Sequence, residues 1–461
     1  MATRFDAIVI GTGQAGPALA TRLAAAGRSV CIVERASFGG TCVNNGCTPT
    51  KTMVASAYAA RMARRAGEYG IDVGGPIKAD MKRVKARKDE IVGKSVRAVE
   101  SWLRGTKGVT VMLGHARFTG PRTVAVGDES LEADLVFINV GGRPVKPEGV
   151  PESDYYTNET VMDVDFVPEH LVVVGGSYIG LEFGQMYRRF GSRVTIVEMA
   201  PRLIAREDHD VSRTVEQILA DEGIDVRLEA KCIKARRNAD RIEVGVECHD
   251  GAPLVSGSHV LFATGRAPAT SDLGLDRAGV QVDARGFVQV NDQLETNVPG
   301  VYALGDCNGR GAFTHTSYND YEIVADNLLE GGKRKVTDRI PIYGLFIDPP
   351  LGRVGMNMEQ ARQGGRKVLV GKRRMANVSR AVERGESQGF MKVIVDAQSR
   401  KILGAAVLGV AGDEVVHSLL DAMYAGETAD QVARGVRIHP TVSELLPTTL
   451  QELREPKDTD A

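Results

Sequence analysis

Two cysteines, Cys42 and Cys47, stand five positions apart in the segment Gly39–Lys51, which reads GGTCVNNGCTPTK. A thiolate can attack a disulfide or bind a metal, so the residue type allows redox exchange or metal ligation. At this spacing on a regular helix the side chains point in different directions, but the Asn-Asn-Gly insert could distort the turn and bring them together. Zinc needs a tetrahedral ligand set, and no further Cys or His cluster completes one. By itself the pair leaves redox exchange and other roles equally open, and the glycine turn described below is what makes a redox pair the favoured interpretation.

The other cysteines are isolated from one another. Cys31 lies in a stretch typical of a buried strand, where a thiol is inert. Cys232, Cys248 and Cys307 are expected to be structural as well, because a reducing cytosol disfavours static disulfides.

A glycine-rich turn, Gly11–Gly16, reads GTGQAG and lies between an apolar stretch and an Ala- and Leu-rich one. Its glycines allow a tight turn and a close approach of backbone to a pyrophosphate, which sits at the positive end of the following helix. Glu34, at the end of the next apolar stretch, can accept hydrogen bonds from a ribose. Together these features predict a dinucleotide site.

A second turn, Gly175–Gly180, reads GGSYIG and is followed by Glu198 in the matching acidic position. Ser177 replaces the middle glycine and adds a Cβ where the cofactor comes closest. Two such turns suggest one bound flavin nucleotide and one exchangeable nicotinamide, and the alternative is a duplicated unit with one inactive site.

These turns require two βαβ units, and the sequence predicts both. The strands and helices expected around the turns are Ala7–Ile10, Pro17–Ala26, Ser29–Glu34, Leu171–Val174, Ile179–Phe190 and Arg193–Glu198. Residues Tyr58–Arg104 are helical in composition, residues Val109–Val140 favour short strands, and Thr316–Leu329 is typical of a long helix. From about Asp338 a separate domain is expected, with strands Gly352–Met356, Phe390–Asp396 and Ile402–Gly409 and a frayed tail after Glu452.

Composition excludes several classes of protein. The 461 residues are 43% hydrophobic and 25% charged, which is typical of a globular protein of several domains. A formal net charge of −1 gives no reason to expect nucleic acid as a partner. No apolar stretch reaches the roughly 20 residues that span a bilayer, and no signal peptide is evident, so the expected location is the cytoplasm.

Three further segments occur in order: ATGR at Ala263–Arg266, PGVYALGD at Pro299–Asp306 and HPTVSE at His439–Glu444. With the turns and the cysteine pair, they resemble the class I pyridine nucleotide–disulfide oxidoreductases, such as glutathione reductase, dihydrolipoyl dehydrogenase and mercuric reductase, over essentially the whole chain. The resemblance implies an α/β fold with two Rossmann-like dinucleotide-binding domains, for FAD and NAD(P), and a C-terminal α+β dimerisation domain. The expected divisions are 1–148 (FAD), 149–267 (NAD(P)), 268–337 (FAD, central part) and 338–461 (dimerisation, with the catalytic histidine).

The resemblance also assigns roles to the reactive residues. Cys42 would be the interchange thiol that meets the substrate, and Cys47 the thiol against the flavin ring. Lys51 and Glu182 would form an ion pair beside the flavin's reactive edge.

His439 would be the base that activates the thiol, with Glu444 orienting it. In the family this histidine reaches the cysteines of the other subunit, so the resemblance implies a homodimer.

The same resemblance gives two sets of cofactor residues and no metal site. Those for FAD are Gly11, Gly13, Gln14, Ala15, Gly16, Glu34, Thr41, Lys51, Ala116, Asp306 and Thr314. Those for NAD(P)H are Gly175, Tyr178, Ile179, Gly180, Glu198 and Gly265, of which Tyr178 resembles the gate over the nicotinamide pocket.

Glu198 favours NADH over NADPH, because a carboxylate hydrogen-bonds a ribose 2′-hydroxyl and repels a 2′-phosphate. NADP-using relatives usually place an arginine directly after this position, where this chain has Met199. Arg202 and Arg206 lie close enough in sequence to keep NADPH open.

The expected substrate class follows mainly from residues that the related enzymes have and this chain lacks. Mercuric reductases and large thioredoxin reductases use a C-terminal redox centre, and no cysteine follows Cys307 here. Glutathione reductases carry an arginine where this chain has Glu322. We therefore expect a dimeric reductase of a small-molecule disulfide. A dihydrolipoyl dehydrogenase subunit of a multienzyme complex is the main alternative, although Asn45 and Thr48 replace its usual apolar residues. A mercuric reductase-like enzyme or a redox-sensing flavoprotein is a weaker alternative.

Overall fold

The helices and strands follow the α/β order that the sequence predicts. The computed structural model describes residues 2–239, 241–247 and 253–460, with the backbone only at 231–233, 247 and 459. Up to Pro144 the elements are β1 (Thr3–Ile10), α1 (Ala15–Ala25), β2 (Val30–Glu34), α2 (Gly40–Asn44), α3 (Cys47–Arg64), α4 (Met81–Gly105), β3 (Val109–Leu113), β4 (Ala116–Gly120), β5 (Thr123–Val126), β6 (Glu129–Ile138) and β7 (Gly142–Pro144).

The middle of the chain repeats this order and adds an antiparallel insert. Its elements are β8 (His170–Val174), α5 (Tyr178–Phe190), β9 (Arg193–Val197), α6 (His209–Asp221), β10 (Asp225–Arg227), β11 (Lys231–Asn238), β12 (Arg241–Glu247), β13 (Leu254–Gly257), β14 (His259–Phe262), β15 (Arg266–Pro268) and α7 (Leu275–Ala278).

The remainder completes the first sheet and then forms a different one. Its elements are β16 (Val301–Ala303), α8 (Thr314–Leu329), β17 (Ile342–Leu345), β18 (Leu351–Gly355), α9 (Met358–Gln363), β19 (Val368–Arg374), α10 (Ser379–Glu383), β20 (Phe390–Asp396), β21 (Ile402–Leu408), α11 (Gly412–Tyr424), α12 (Ala429–Val432) and α13 (Leu445–Gln451). Single 3₁₀ turns lie at Ala66–Tyr69, Glu152–Asp154, Val161–Asp163, Gly305–Asn308, Val336–Asp338, Met375–Asn377 and Asp458–Asp460.

The first sheet has the order β3-β2-β1-β6-β5-β4, with β16 beside β6. Its central strands β2, β1, β6 and β16 are parallel, so their carboxyl ends meet at one edge of the sheet. Residues Ala7–Ile10 of β1 are buried, because α1 and α8 pack on one face through Leu19 and Ile323 while Phe118 and Leu273 lie in the apolar cluster of the other. The first glycine turn leaves this sheet at the carboxyl end of β1.

The second sheet is parallel, with the order β10-β9-β8-β14. One face packs against α5 and α6 through Leu181 and Val215, and the other packs against the antiparallel β11-β12-β13 through Val172 and Val244. The second glycine turn leaves the carboxyl end of β8, as the first leaves β1. The predicted duplication is therefore confirmed.

The C-terminal sheet is antiparallel, with the order β17-β18-β21-β20-β19. Helix α11 packs on it, with Leu419 and Val407 in one apolar cluster. This change from parallel to antiparallel pairing matches the change of texture that the sequence shows after about Asp338.

The expectation that the tail after Glu452 frays is wrong. Arg454 pairs with Val370 of β19, and its guanidinium lies 2.6 Å from the Asp460 carboxylate. The Asp460 carbonyl accepts a 2.7 Å hydrogen bond from the fully buried Lys392. A buried ammonium needs partners, and the polar tail supplies one of them beside Asp208 and Asp210, which its composition could not reveal.

The structure also locates the isolated cysteines. Cys31 and Cys307 are fully buried, as predicted, and burial raises the pKa of each thiol to about 12. Cys248 lies outside the described residues, and of Cys232 only the backbone is described. None of the helices in the described ranges is both long and apolar enough to cross a lipid bilayer.

Candidate active site

A break between two helices brings Cys42 and Cys47 together. α2 ends at Asn44 and α3 begins at Cys47, while Asn45 (φ −148°, ψ 27°) leaves the helical conformation. The two thiols hydrogen-bond each other. A Cβ at Gly46 would lie 2.8 Å from the Thr41 carbonyl oxygen, so the break needs glycine there. The distortion expected from the Asn-Asn-Gly insert is present.

The surroundings of Cys47 favour a thiolate. Its Sγ lies 3.1 Å from the hydroxyl oxygen of Thr314, at the start of α8. The hydrogen bond with Cys42 is the main cause that lowers the pKa of Cys47 to about 6, and Thr314 and the Lys51 ammonium lower it further against the effect of burial. The same hydrogen bond and burial raise the pKa of Cys42. The pair therefore loses its first proton more easily than a free thiol does, and Cys47 is the member whose surroundings favour the thiolate.

Lys51 and Glu182 form a short ion pair between α3 and α5. The Lys51 Nζ lies 2.6 Å from one carboxylate oxygen of Glu182, and the other oxygen accepts a 3.0 Å hydrogen bond from the backbone N–H of Phe346. Glu182 is buried, and Lys51 also lies 4.4 Å from the centre of the Phe346 ring. Both carboxylate oxygens are thus held, which fixes the ammonium beside the cysteines.

The first glycine turn is shaped by contacts that only glycine allows. Gly11 has φ +104°, and a Cβ there would lie 2.4 Å from the Asn139 carbonyl oxygen. A Cβ at Gly16 would lie 2.3 Å from the Gly11 carbonyl oxygen. The Asn139 side-chain amide donates to the carbonyls of Gly11 (3.1 Å) and Gly13 (3.2 Å). Sequence analysis missed Asn139, although a polar residue directly after a buried parallel strand is the signal that could have found it.

The acid after this turn is held by the backbone. One oxygen of Glu34 accepts from the Thr12 N–H at 3.1 Å, and the other from the Ala36 N–H at 2.8 Å. Gln14 reaches the Gly39 carbonyl at 3.4 Å. Among the described residues no side chain caps the N-terminus of α1, which begins at the buried Ala15. The Gly16 N–H donates to the Gly13 carbonyl at 2.8 Å and Pro17 has no N–H, so it is mainly the positive end of the helix dipole that favours an anion here. The turn, helix end and acid present here fit a dinucleotide cofactor.

The second turn has the same construction. A Cβ at Gly175 would lie 2.4 Å from the Ala263 carbonyl oxygen, and one at Gly180 would lie 1.8 Å from the Gly175 carbonyl oxygen. The backbone N–H of Ala263 donates to the Val174 carbonyl at the end of β8 (2.8 Å). In the same way the backbone N–H of Asn139 donates to the Ile10 carbonyl at the end of β1 (2.9 Å). Ser177 has φ −109°, ψ −171°, an extended conformation that any residue adopts, so it introduces no backbone strain.

Glu198 matches Glu34 in its hydrogen bonds. Its two carboxylate oxygens accept from the N–H groups of Gly176 (2.5 Å) and Ala200 (2.7 Å). The carboxylate is therefore fixed at the end of β9, at the place where a ribose would be recognised.

An aromatic cluster lies at the start of α5. Tyr178 packs edge-on against Tyr343 (centroids 5.5 Å apart) and Phe313 (6.0 Å), and Ile179 follows it, half-buried. Burial raises the pKa of the Tyr178 hydroxyl to about 12, while a hydrogen bond with Tyr343 acts in the opposite direction. Tyr178 therefore stays a neutral ring near neutral pH.

The other predicted cofactor residues fall into two places. Burial raises the pKa of Asp306, whose carboxylate lies 3.7 Å from the Arg266 guanidinium. Arg266 also donates to the Thr41 hydroxyl at 3.2 Å and follows Gly265, whose φ is +125°. Ala116 lies elsewhere, buried at the start of β4, where it pairs with Val126 of β5.

His439 lies at the surface with its orienting carboxylate. Its Nδ1 is 2.8 Å from Glu444, whose side chain is 13% exposed against 74% for the imidazole. The neighbouring Ile438 and Val436 are 80% and 96% exposed. Among the described residues of one chain, no hydrogen bond joins the His439 imidazole to the thiol of Cys42 or Cys47. The apolar residues around an exposed imidazole suit a face that a second subunit covers.

Residues 5–320 match the family described as pyridine nucleotide-disulphide oxidoreductase, and residues 342–450 match its dimerisation domain. The chain belongs to this family. It is therefore an enzyme of an FAD-dependent class that uses a pyridine nucleotide and acts on sulfur groups.

Several curated relatives match along the whole chain. A dihydrolipoyl dehydrogenase of Thermus scotoductus is 34% identical, over 98% of this chain and 98% of the relative. A probable pyridine nucleotide-disulfide oxidoreductase, RclA of Escherichia coli, is 34% identical over 96% and 98%. A mercuric reductase of Streptomyces lividans is 34% identical over 97% and 96%.

Solved structures support the same fold. The HOCl-induced flavoprotein disulfide reductase RclA from Escherichia coli superposes with a TM-score of 0.88 at 33% identity, over 97% of this chain and 99% of that one. Its Cu(II) complex gives the same TM-score. In this protein, the described residues contain no group of three or more His, Cys, Asp or Glu side chains arranged to hold a metal.

Proposed function

We propose that this protein reduces a small-molecule disulfide with electrons from NADH, through FAD and the Cys42–Cys47 pair. The observation that carries the proposal is the environment of Cys47, where Thr314 and Lys51 favour the thiolate. A dithiol that has already lost one proton near neutral pH is ready for thiol–disulfide exchange.

Exchange would proceed in two displacements. The Cys42 thiolate attacks one sulfur of the substrate disulfide, a mixed disulfide forms, and the first product leaves as a thiolate. His439 of the partner subunit removes the Cys42 proton and returns it to that thiolate. The Cys47 thiolate then attacks the Cys42 sulfur, which releases the second product and restores the Cys42–Cys47 disulfide. The second product leaves as a thiolate and takes its proton from solvent, so each substrate disulfide consumes two electrons and two protons and gives two thiols.

FAD supplies two-electron transfer between a nicotinamide hydride and the cysteines when it is bound. The first glycine turn, Glu34, Asp306 and Thr314 would hold it, since they provide the anion-binding helix end and the hydrogen-bonding groups. Lys51, fixed by Glu182, would place a positive charge beside its reactive edge.

NADH is the proposed electron donor. Glu198 is held by two backbone N–H groups, so its carboxylate cannot turn away from a 2′-phosphate. Arg202 is engaged by the loop that follows, where it donates to the Ala205 carbonyl at 2.9 Å and contacts His209 at 2.7 Å. Met199 is exposed in the position directly after Glu198.

The domain divisions at 148, 267 and 337, the homodimer and the cytoplasmic location belong to the same proposal. The dimer is supported by the matched dimerisation domain and the exposed face around His439. The cytoplasm is supported by the chemistry, because a cycling dithiol needs a compartment that supplies NADH.

A dihydrolipoyl dehydrogenase is the second candidate, since a relative with that name matches along nearly the whole chain. The two functions differ in their substrate and in the direction of electron flow. Lipoamide-dependent reduction of NAD⁺ would favour the second candidate.

Steady-state oxidation of NADH and NADPH against a panel of oxidants tests the proposal. The panel holds glutathione disulfide, lipoamide, other small disulfides, mercuric ion and Cu(II), the last because a related structure is a Cu(II) complex. We expect turnover with one disulfide, preference for NADH, and loss of turnover in Cys42→Ser. Equal activity in Cys42→Ser, or reduction of oxygen alone, would show that the proposal is wrong.

A further inference from the structure

Tyr343 connects the nicotinamide gate to the interior of the protein. Its ring packs against Tyr178 (5.5 Å, interplanar angle 75°) and stacks on Phe313 (5.7 Å, 17°). Its hydroxyl donates a hydrogen bond to Glu207. Tyr343 comes from β17 of the C-terminal sheet, whereas Tyr178 begins α5. The position of the Tyr178 ring is therefore set in part by a side chain from the C-terminal sheet.

Glu207 is a fixed anchor rather than a mobile surface group. It is 1% exposed, and it lies in a buried charged cluster with Asp208, Arg353 and Lys392. The Arg353 guanidinium is 3.9 Å from the Glu207 carboxylate, and the Lys392 ammonium is 2.8 Å from Asp208. The Glu207 backbone is held on both sides, since its N–H donates to the Ile204 carbonyl at 2.8 Å and its carbonyl accepts from Arg202 at 3.4 Å. Because the side chain is also enclosed by close-packed protein, the Glu207 oxygen that accepts from Tyr343 has little room to move.

We propose that Tyr343, anchored by Glu207, is a positioning residue that holds the Tyr178 ring over the nicotinamide pocket. The inference rests on the proposed function, in which the nicotinamide of NADH must displace Tyr178. Tyr343 then sets the free energy of that displacement, because the ring and hydroxyl that contact Tyr178 cannot follow it when it moves. Neither residue of the Tyr343–Glu207 pair would touch the reacting atoms.

Only the nicotinamide half of the dinucleotide should depend on Tyr343. ADP-ribose fills the adenine and ribose part of the site and has no nicotinamide, so it leaves Tyr178 in place. NAD⁺ must displace the ring. The ratio of the two dissociation constants therefore reports the displacement alone.

Calorimetric titration of the FAD-containing protein with NAD⁺ and with ADP-ribose measures this ratio. In Tyr343→Phe the ring is retained and the hydroxyl is lost, so the tether is removed with little change of shape. We expect NAD⁺ to bind roughly threefold to tenfold tighter relative to ADP-ribose, the effect of one net hydrogen bond. The dissociation constant of ADP-ribose should stay within about twofold of the wild-type value.

Two variants provide controls. Tyr187→Phe removes a different tyrosine hydroxyl, a buried one on α5 that donates to the Val161 carbonyl at 2.6 Å. It should lower thermal stability without changing the ratio of the NAD⁺ and ADP-ribose dissociation constants. Glu207→Gln keeps an acceptor for Tyr343 and should hold the ratio within about twofold of wild type.

The outcomes distinguish this inference from the proposed function. An unchanged ratio in Tyr343→Phe, with only a lower melting temperature, would overturn the positioning role, and so would an equal shift in Tyr187→Phe. If Tyr178→Ala shifts the ratio and Tyr343→Phe does not, the gate stands and the tether fails. If the wild-type protein binds neither NAD⁺ nor ADP-ribose, the proposed function itself fails.

Discussion

Replacing Thr314 by valine removes the hydroxyl that lies 3.1 Å from the Cys47 Sγ and keeps the shape of the side chain. A hydrogen bond to a charged group contributes about 1.5–3 kcal/mol, and about 1.4 kcal/mol corresponds to one pKa unit. Protein atoms desolvate one side of the Cys47 thiol, but the side chain is open to solvent on the other, so solvent screening reduces the effect to the lower end of that range. We therefore expect the pKa of Cys47 to rise from about 6 to roughly 7.

The thiolate absorbance in the ultraviolet measures this change. The protein is reduced with a phosphine, which contains no thiol, and titrated with pH against the Cys42→Ser/Cys47→Ser double variant as a blank. Near pH 7 the thiolate fraction of Cys47 should fall from about nine-tenths to about one half. The sign follows from the loss of a donor to the charged form, which makes the proton harder to remove.

Thr50→Val is the matched control. Thr50 is buried on α3, three residues after Cys47, and its hydroxyl points to the Met162 sulfur at 3.6 Å rather than to a thiol. The reasoning is refuted if Thr314→Val leaves the titration midpoint unchanged, or if Thr50→Val moves it equally.

Three further predictions test other parts of the site. Glu444→Gln should slow disulfide reduction by roughly tenfold to a hundredfold, because it removes the charge that stabilises a protonated His439. Stopped-flow measurements should show that reduction of the flavin by NADH is unaffected, and an equal loss in both half-reactions would contradict the prediction. Asn139→Ala should lower the free energy of unfolding by about 1–3 kcal/mol in a urea titration, since two turn carbonyls lose their donor, and an unchanged midpoint would contradict this. Ser177→Gly should leave NAD⁺ affinity within about twofold, because Ser177 already has an extended backbone, and a larger gain would mean that its Cβ obstructs the site.

The parts of the fold with short-range causes could be predicted from the sequence. Buried parallel strands give continuous apolar runs, and a glycine turn with a following acid marks where each βαβ unit turns. Boundaries moved by one or two residues at α5, which begins at Tyr178, and at α8, which begins at Thr314. The stretch Tyr58–Arg104, expected to be helical, instead holds the end of α3 (Cys47–Arg64) and most of α4 (Met81–Gly105), with residues 70–80 outside any helix. Helix ends are set by capping geometry, which the apolar pattern does not contain.

Contacts between distant parts of the chain could not be predicted in this way. Cys47 and Thr314 are 267 residues apart, and Tyr343 lies 136 residues from Glu207. The docked tail was missed for the same reason, since Lys392 in β20 supplies the charge that holds Asp460. The catalytic roles of Cys42 and His439 stay predictions, which the experiments above test.

The two glycine turns differ in the residue that follows the neighbouring strand, Asn139 at the first and Ala263 at the second. This difference bears on the rate at which each turn would release its ligand. The amide of Asn139 ties down the first turn, whereas Ala263, in the matching place of the second, has no group that could do so. A loop that is already rigid loses little entropy on binding and must break its own bonds before it can open, so it releases ligand slowly. In the proposed enzyme this suits a flavin with a long residence time, which remains through many turnovers. The second turn is held by the Glu198 carboxylate and the Ile204 N–H, both at Gly176, but among the described residues no side-chain amide lies across its carbonyls. This looser fixing suits a nicotinamide that dissociates after each turnover.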